Sequence, residues 1–286
     1  MYLCVIIMYI VMGGIQDATY NKQIMNEFSM FFPATNLGES FNAELIKLEA
    51  DVVVTVPGEE EKHKKYNLII KFLSHDPMNR EMVKKCGYHI REYKMYSCII
   101  PELNDYWRKN SGPNDQDYTL KVPEYVYGVC NSSEYVVVLQ NCKTFGFVGN
   151  NKQLGLCYPQ LMMAVDHIAR LHALSYSYSK YTKFLEKYPC IGLMKMAHET
   201  LKSMVCVSLD NVIRFLRTIP ERSSQLAKLE KGRRTLGPKF EAIWQDESRH
   251  KLLCLAHGDF WNSNLLFKYP EGASDDGKHL SFLSCI

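Results

Sequence analysis

The sequence predicts an α+β chain of two lobes, a strand-rich lobe followed by a mostly helical one. As far as residue 140, apolar residues alternate with polar ones in paired runs separated by turn residues. After residue 150 the apolar repeat changes to about 3.6 residues. The seam falls at Asn141 to Asn150, so the chain divides into an N-terminal extension (1–34), a sheet lobe (35–140), a hinge (141–150) and a helical lobe (151–286). With 286 residues it is long enough to bury a substantial core.

The extension opens with an apolar run, Leu3 to Met12, followed by Gly13 and Gly14. The run is too short to span a bilayer, for which about 20 residues are needed. It has the length of a signal-peptide core, but the first basic residue, Lys22, comes after it instead of before. A cytoplasmic location is expected; secretion is the alternative, and Asn131-Ser132-Ser133 would then be a glycosylation site.

From Ile46 to Val56 the even positions are apolar and most odd ones polar, which predicts a half-buried strand ended by Pro57 and Gly58. Glu59 to Lys65 reads as a solvated hairpin tip, and Tyr66 to Phe72 as the returning strand. Residues 79–99 read as a single helix with Val83, Ile90 and Tyr93 on one side, ended by Pro101. A second hairpin joins Tyr125–Cys130 to Tyr135–Leu139 through the polar turn Asn131–Glu134. Pro159 opens a helix whose apolar face is Leu161, Ala164, Val165, Ile168, Leu171 and Ser175. Leu193–Ile219 follows, with Leu201, Met204, Val205, Leu209, Val212 and Leu216 inward, and then Ser224–Gln245.

Composition removes some functions. A formal charge of +3, spread evenly, gives neither a nucleic-acid nor a membrane partner a field to bind. None of the ten cysteines forms a CxxC pair, so neither a zinc ribbon nor a redox couple is expected, and reduced thiols in a cytosolic protein are.

Two places carry chemistry. Lys71 ends the apolar run Leu68-Ile69-Ile70, where a buried ammonium needs a partner, and Glu92 on the following helix is the natural one. Downstream, in HGDFWNSN, Asp259 and Asn264 stand five apart. That spacing suits phosphoryl transfer, with the Asp orienting an acceptor hydroxyl and the Asn binding a metal ion. On its own HGD reads equally as a capped polar turn; the ordered set Lys71, Glu92, Asp259, Asn264 favours the chemical reading.

At this point HGDFWNSNLLFKY resembles the HGD(L/F)WxxNxMF signature of the ecdysteroid kinase-like, or CHK kinase-like, family, relatives of choline kinase and aminoglycoside phosphotransferases. NLIIKF resembles the family's Lys strand, HIREYKMYSCIIPEL its FxxExxxYxxxLPxL helix, and DHIARLHALSYSYS its LAxxHAxSxA helix, so the resemblance spans residues 35 to 280 or so. It implies a protein-kinase-like fold that uses ATP and Mg²⁺ to phosphorylate a hydroxyl on a small molecule, an ecdysteroid or a xenobiotic alcohol. Lys71 would hold the α- and β-phosphates, Glu92 would pair with it, Asp259 would be the base and Asn264 the metal ligand.

The chain departs from the family pattern in three places. The nucleotide loop, in NLGESFNAEL, has only Gly38, with Ser40 beside it, to cover phosphates. Gln140-Asn141-Cys142 replaces the usual Glu-Asp-Leu after the hinge strand, so adenine would meet the backbone of Gln140 and Cys142. A second metal-binding Asp is expected on the strand after the loop, yet HLSFLSCI, His279 to Ile286, has no acidic residue, and Asp275 and Asp276 lie in a solvated turn. The expectation is therefore a shortened chain with an incomplete helical lobe and impaired transfer. The alternative is a non-catalytic nucleotide-binding or interaction protein.

Overall fold

The computed structural model describes residues 35–39, 43–54, 62–151, 153–192, 195–245, 252–269 and 281–285. Strands β1 (Thr35–Glu39), β2 (Ala43–Val54), β3 (Lys62–Leu73), β4 (Tyr125–Cys130) and β5 (Tyr135–Gln140) form an antiparallel sheet in the order β1-β2-β3-β5-β4. The period of two carries through to packing, since Leu48, Ala50, Leu68, Ile70 and Val138 meet on one face. On the other face Tyr135, Val137 and Leu139 pack against Tyr96. Val137 and Val138 are both completely buried, so β5 is covered on both sides and explains its unbroken apolar run. Lys62 to Lys65, expected in the hairpin tip, pair with Val54 to Asp51 instead. Backbone ladders do not require apolar side chains, so charge alone does not end a strand.

The helix expected over 79–99 is interrupted. Helix α1 (Pro77–Cys86), capped by Asp76, whose carboxylate accepts the Asn79 N–H at 2.7 Å, ends at Gly87 with φ of +68°. That left-handed turn suits glycine and redirects the chain into α2 (Tyr88–Lys94). Val83 and Ile90 consequently do not share a face: Val83 is buried and Ile90 is exposed. Pro101 does not end the helical run. Met95–Ile99 forms a wide turn in which the Ile100 N–H reaches the Met95 carbonyl, five residues back, and Pro101 sits in the first turn of α3 (Ile100–Asn110), where no donor is required.

Helix α3 packs on α4 (Tyr158–Tyr181) through Ile99, Ile100, Leu103, Leu171 and Leu174. The buried side of α4 is Gln160, Ala164, His167, Leu171, Leu174 and Ser175, rotated from the expected face, and Leu161 and Val165 are exposed. One side of α4 meets α3 and the other meets a ribbon of β6 (Val148–Gly149), β7 (Leu265–Lys268) and β8 (Ser281–Ser284), where Ala164 joins Leu265, Phe267 and Phe282. What those neighbours cover decides the buried face.

Helices α5 (Lys195–Leu216) and α6 (Ser223–Gln245) pack mainly on each other, fastened by Lys202–Glu241, Arg233–Asp210 and Arg217–Glu230 ion pairs. Leu201, Met204, Val205 and Val212, expected inward, are exposed, while Ile213 is buried. A helix with one principal neighbour buries only a narrow stripe. No helix among the described residues is long and apolar enough to cross a membrane.

Leu103→Ala, which empties a fully buried position, should cost about 2–5 kcal/mol in urea unfolding. Leu201→Ala, at a 44% exposed position, should stay within about 0.5 kcal/mol, the range of ordinary surface substitutions.

Candidate active site

Lys71 lies on β3 opposite Leu45 of β2 and Val137 of β5, on the face turned toward α2. Glu92, on α2, forms an ion pair with its ammonium, and both side chains are about one-fifth exposed, 20% and 19%. The other Glu92 oxygen accepts the Tyr135 hydroxyl at 2.5 Å. Burial is the largest influence on Lys71 and by itself lowers its pKa. The charge and hydrogen bond of Glu92, aided by Cys285 and Asp259, outweigh it and hold the pKa above the ordinary lysine value. Burial also pushes the Tyr135 phenol well up, with Glu92 adding to the effect, so it remains a donor.

The loop that carries Asp259 is fastened to the helical lobe from below. The Leu255 N–H donates to Ser175 Oγ at 2.9 Å, and that hydroxyl donates in turn to the Leu171 carbonyl at 2.7 Å. Gly258, at φ of +81°, turns the chain through a conformation that disfavours a Cβ. The Asp259 N–H donates to His257 Nδ1 at 3.3 Å, so the ring proton is on Nε2, which donates to the Cys285 carbonyl at 2.9 Å. Burial lowers the His257 pKa, in keeping with a neutral ring. Asn264 Nδ2 donates to the Asp259 carbonyl at 2.9 Å and to its Oδ2 at 2.8 Å. Asp259 is thereby oriented.

Of the four residues singled out for chemistry, Lys71 is in contact with Glu92 and Asn264 with Asp259, and the Asp259 charge acts on Lys71. At the hinge, the Gln140 N–H is taken by the Glu124 carbonyl at 2.9 Å and the Cys142 carbonyl accepts from the Phe147 N–H at 3.2 Å. Among the described residues, the Gln140 carbonyl meets only a long thiol contact of 3.6 Å from Cys142, and the Cys142 N–H meets no backbone acceptor outside its own helical turn. Burial pushes the Cys142 thiol up to about 11, and Cys285 contributes. Gly38 lies in β1, where the pairing with β2 is irregular between Asn36 and Glu39. Ser40 lies outside the described residues, as do Asp275 and Asp276.

Mg²⁺ requires hard oxygen donors in near-octahedral array. The chain offers Asn264 Oδ1 and the Asp259 carboxylate, and the neighbouring position is the Cys285 thiol, whose pKa burial raises. No group of three or more His, Cys, Asp or Glu side chains among the described residues is arranged to hold a metal ion. These donors do not fit the paired-cation arrangement of phosphoryl transfer.

Tyr135, Ser175, His257 and Cys285 belong to this constellation and were not legible as such. Ser175 offered one signal, a hydroxyl at a core position of a helix, which needs a partner when buried. Ser175→Ala leaves the Leu255 N–H unpaired and should cost about 1–3 kcal/mol. Urea unfolding measures the cost, and hydrogen exchange should show faster opening of residues 255–264 than of β5.

Comparison with known proteins gives a single finding. The model of the ecdysteroid kinase-like family matches residues 37–279, a span that includes Lys71, Glu92, Asp259 and Asn264. No curated protein and no solved structure matches. An antiparallel sheet followed by a mostly helical part is the kinase-like architecture of that family, and the match covers most of the sequence: the chain belongs to the ecdysteroid kinase-like family.

Proposed function

We propose that this chain binds ATP between its sheet and its helical lobe and transfers the γ-phosphoryl group to a hydroxyl of a small molecule, an ecdysteroid or a xenobiotic alcohol. The observation that carries the reading is the Lys71–Glu92 ion pair held within electrostatic reach of Asp259. Family membership supports the kinase class.

In this reading adenine bonds to the Gln140 carbonyl and the Cys142 N–H, and Gly38 and Ser40 cover the phosphates. Lys71 contacts the α- and β-phosphates, its position kept by Glu92 and Tyr135. The acceptor oxygen attacks the γ-phosphorus, its proton passes to the Asp259 carboxylate, the bond to the bridging oxygen breaks and ADP leaves. Asn264 acts by orienting Asp259 through its amide. Trp261, 52% exposed and two residues beyond Asp259, offers an apolar surface to the acceptor. The nine described cysteines are all free thiols, which supports a reducing, cytoplasmic location.

Cys285 favours a second reading, nucleotide binding without transfer, because losing metal stabilisation of the transition state costs several kcal/mol, or orders of magnitude in rate.

ADP formation with a panel of steroid and xenobiotic alcohols separates the two. Asp259→Asn should lower kcat by about 10²–10⁴-fold and leave ATP affinity largely intact, while Lys71→Met should weaken ATP binding. Bound ATP with no transfer to any alcohol would establish the second reading; failure to bind ATP would end both.

A further inference from the structure

The main chain, not its side chain, places Cys285. Its N–H donates to the Asn264 carbonyl at 2.7 Å and its carbonyl accepts from His257 Nε2 at 2.9 Å. The preceding residue, Ser284, is opposite Leu265 in the β7–β8 ladder. Whatever residue stands at 285 is therefore presented beside Asn264, where the charges of Lys71 and Glu92 act on its side chain. A second anionic oxygen at this point would complete a cation site on the phosphates. The residue that stands there is a cysteine, whose soft sulfur supplies neither the hard oxygen that Mg²⁺ requires nor the fixed negative charge of a carboxylate.

The cysteine has an opposite consequence for the nucleotide alone. A carboxylate at 285 would repel a metal-free triphosphate and make a divalent cation a condition of binding. A neutral thiol does not repel it, and Lys71 remains as a cation facing the phosphates. We infer that the nucleotide site of this chain accepts ATP as the free anion, with no requirement for a divalent cation. This rests on the proposed nucleotide binding and holds with or without transfer.

Calorimetric titration with ATP, in EDTA and in excess Mg²⁺, tests it on the wild-type chain, Cys285→Ser and Cys285→Asp. Wild type and Cys285→Ser should bind with affinities that differ by no more than about twofold between the two conditions, because neither changes the charge at 285. Cys285→Asp should bind about tenfold or more weakly in EDTA and recover in Mg²⁺, as expected for a like-charge contact at a partly buried site. A wild-type affinity that falls about tenfold or more on removing Mg²⁺ would overturn the inference even if the Asp variant fails to fold. So would a folded Asp variant with no Mg²⁺ dependence. Wild-type protein that is folded by circular dichroism but binds no ATP in either buffer refutes the nucleotide reading itself, an outcome distinct from Mg²⁺-dependent binding.

Discussion

An ammonium on the middle of a sheet is the constraint around which this protein is arranged. Lys71 stands on β3 between Leu45 and Val137, where water cannot solvate it fully and an unpaired charge would cost several kcal/mol. Glu92 must therefore reach it from a helix, and the helix must lie across the sheet at that height. Gly87 turns the chain to set α2 there, and the wide turn at Met95–Ile99 lets the run continue past Pro101 into α3. Tyr135 supplies the remaining hydrogen bond to Glu92 from the next strand but one in sequence. The ion pair thus links three elements, and α3, carried onward by the same helical run, packs on α4 and ties the sheet to the helices.

The loop of Asp259 meets that pair because it is hung from several fixed points. Ser175 holds its start, Gly258 permits its turn, His257 joins it to the end of β8, and Asn264 holds the carboxylate. A neutral His257 is required for this, since Nδ1 accepts from the Asp259 N–H while Nε2 donates to Cys285. Partly buried polar groups are costly unless each has its partner, so the network also limits which geometries the loop can adopt. The consequence is an oriented carboxylate whose charge acts on a fixed cation.

Much of the local structure was legible. Alternation located both hairpins, and the Asn131–Glu134 turn forms as read, with Asn131 Oδ1 accepting from Ser133 and Glu134 N–H groups at 2.9 and 2.8 Å. The pairing of Lys71 with Glu92 followed from the cost of burying a charge. Less legible was everything that depends on a neighbour. Leu161 and Val165 are as apolar as Ala164 and Leu171, yet only the latter two meet α3 or the ribbon. Leu201, Met204, Val205 and Val212 repeat at helical spacing, but α5 has one principal partner and buries Ile213 instead. Periodicity reports which residues prefer an apolar neighbour; it does not report how many neighbours arrive.

The sequence by itself determined a strand-rich part followed by a helical one, the two sheet hairpins, the pairing of Lys71 with Glu92 and the family whose pattern the chain carries. It did so because hydrophobic period, turn chemistry and the need to pair a buried charge all act over short stretches of chain. Only the tertiary structure decided that Gly87 breaks a helix and Pro101 does not, that Ser175 holds a loop instead of filling a core, and that Cys285 stands beside Asn264 and Lys71. The Ser175 and Cys285 contacts join segments far apart in the chain, where no local pattern of residues records them, and the course of the chain at Gly87 and Pro101 is set by backbone geometry.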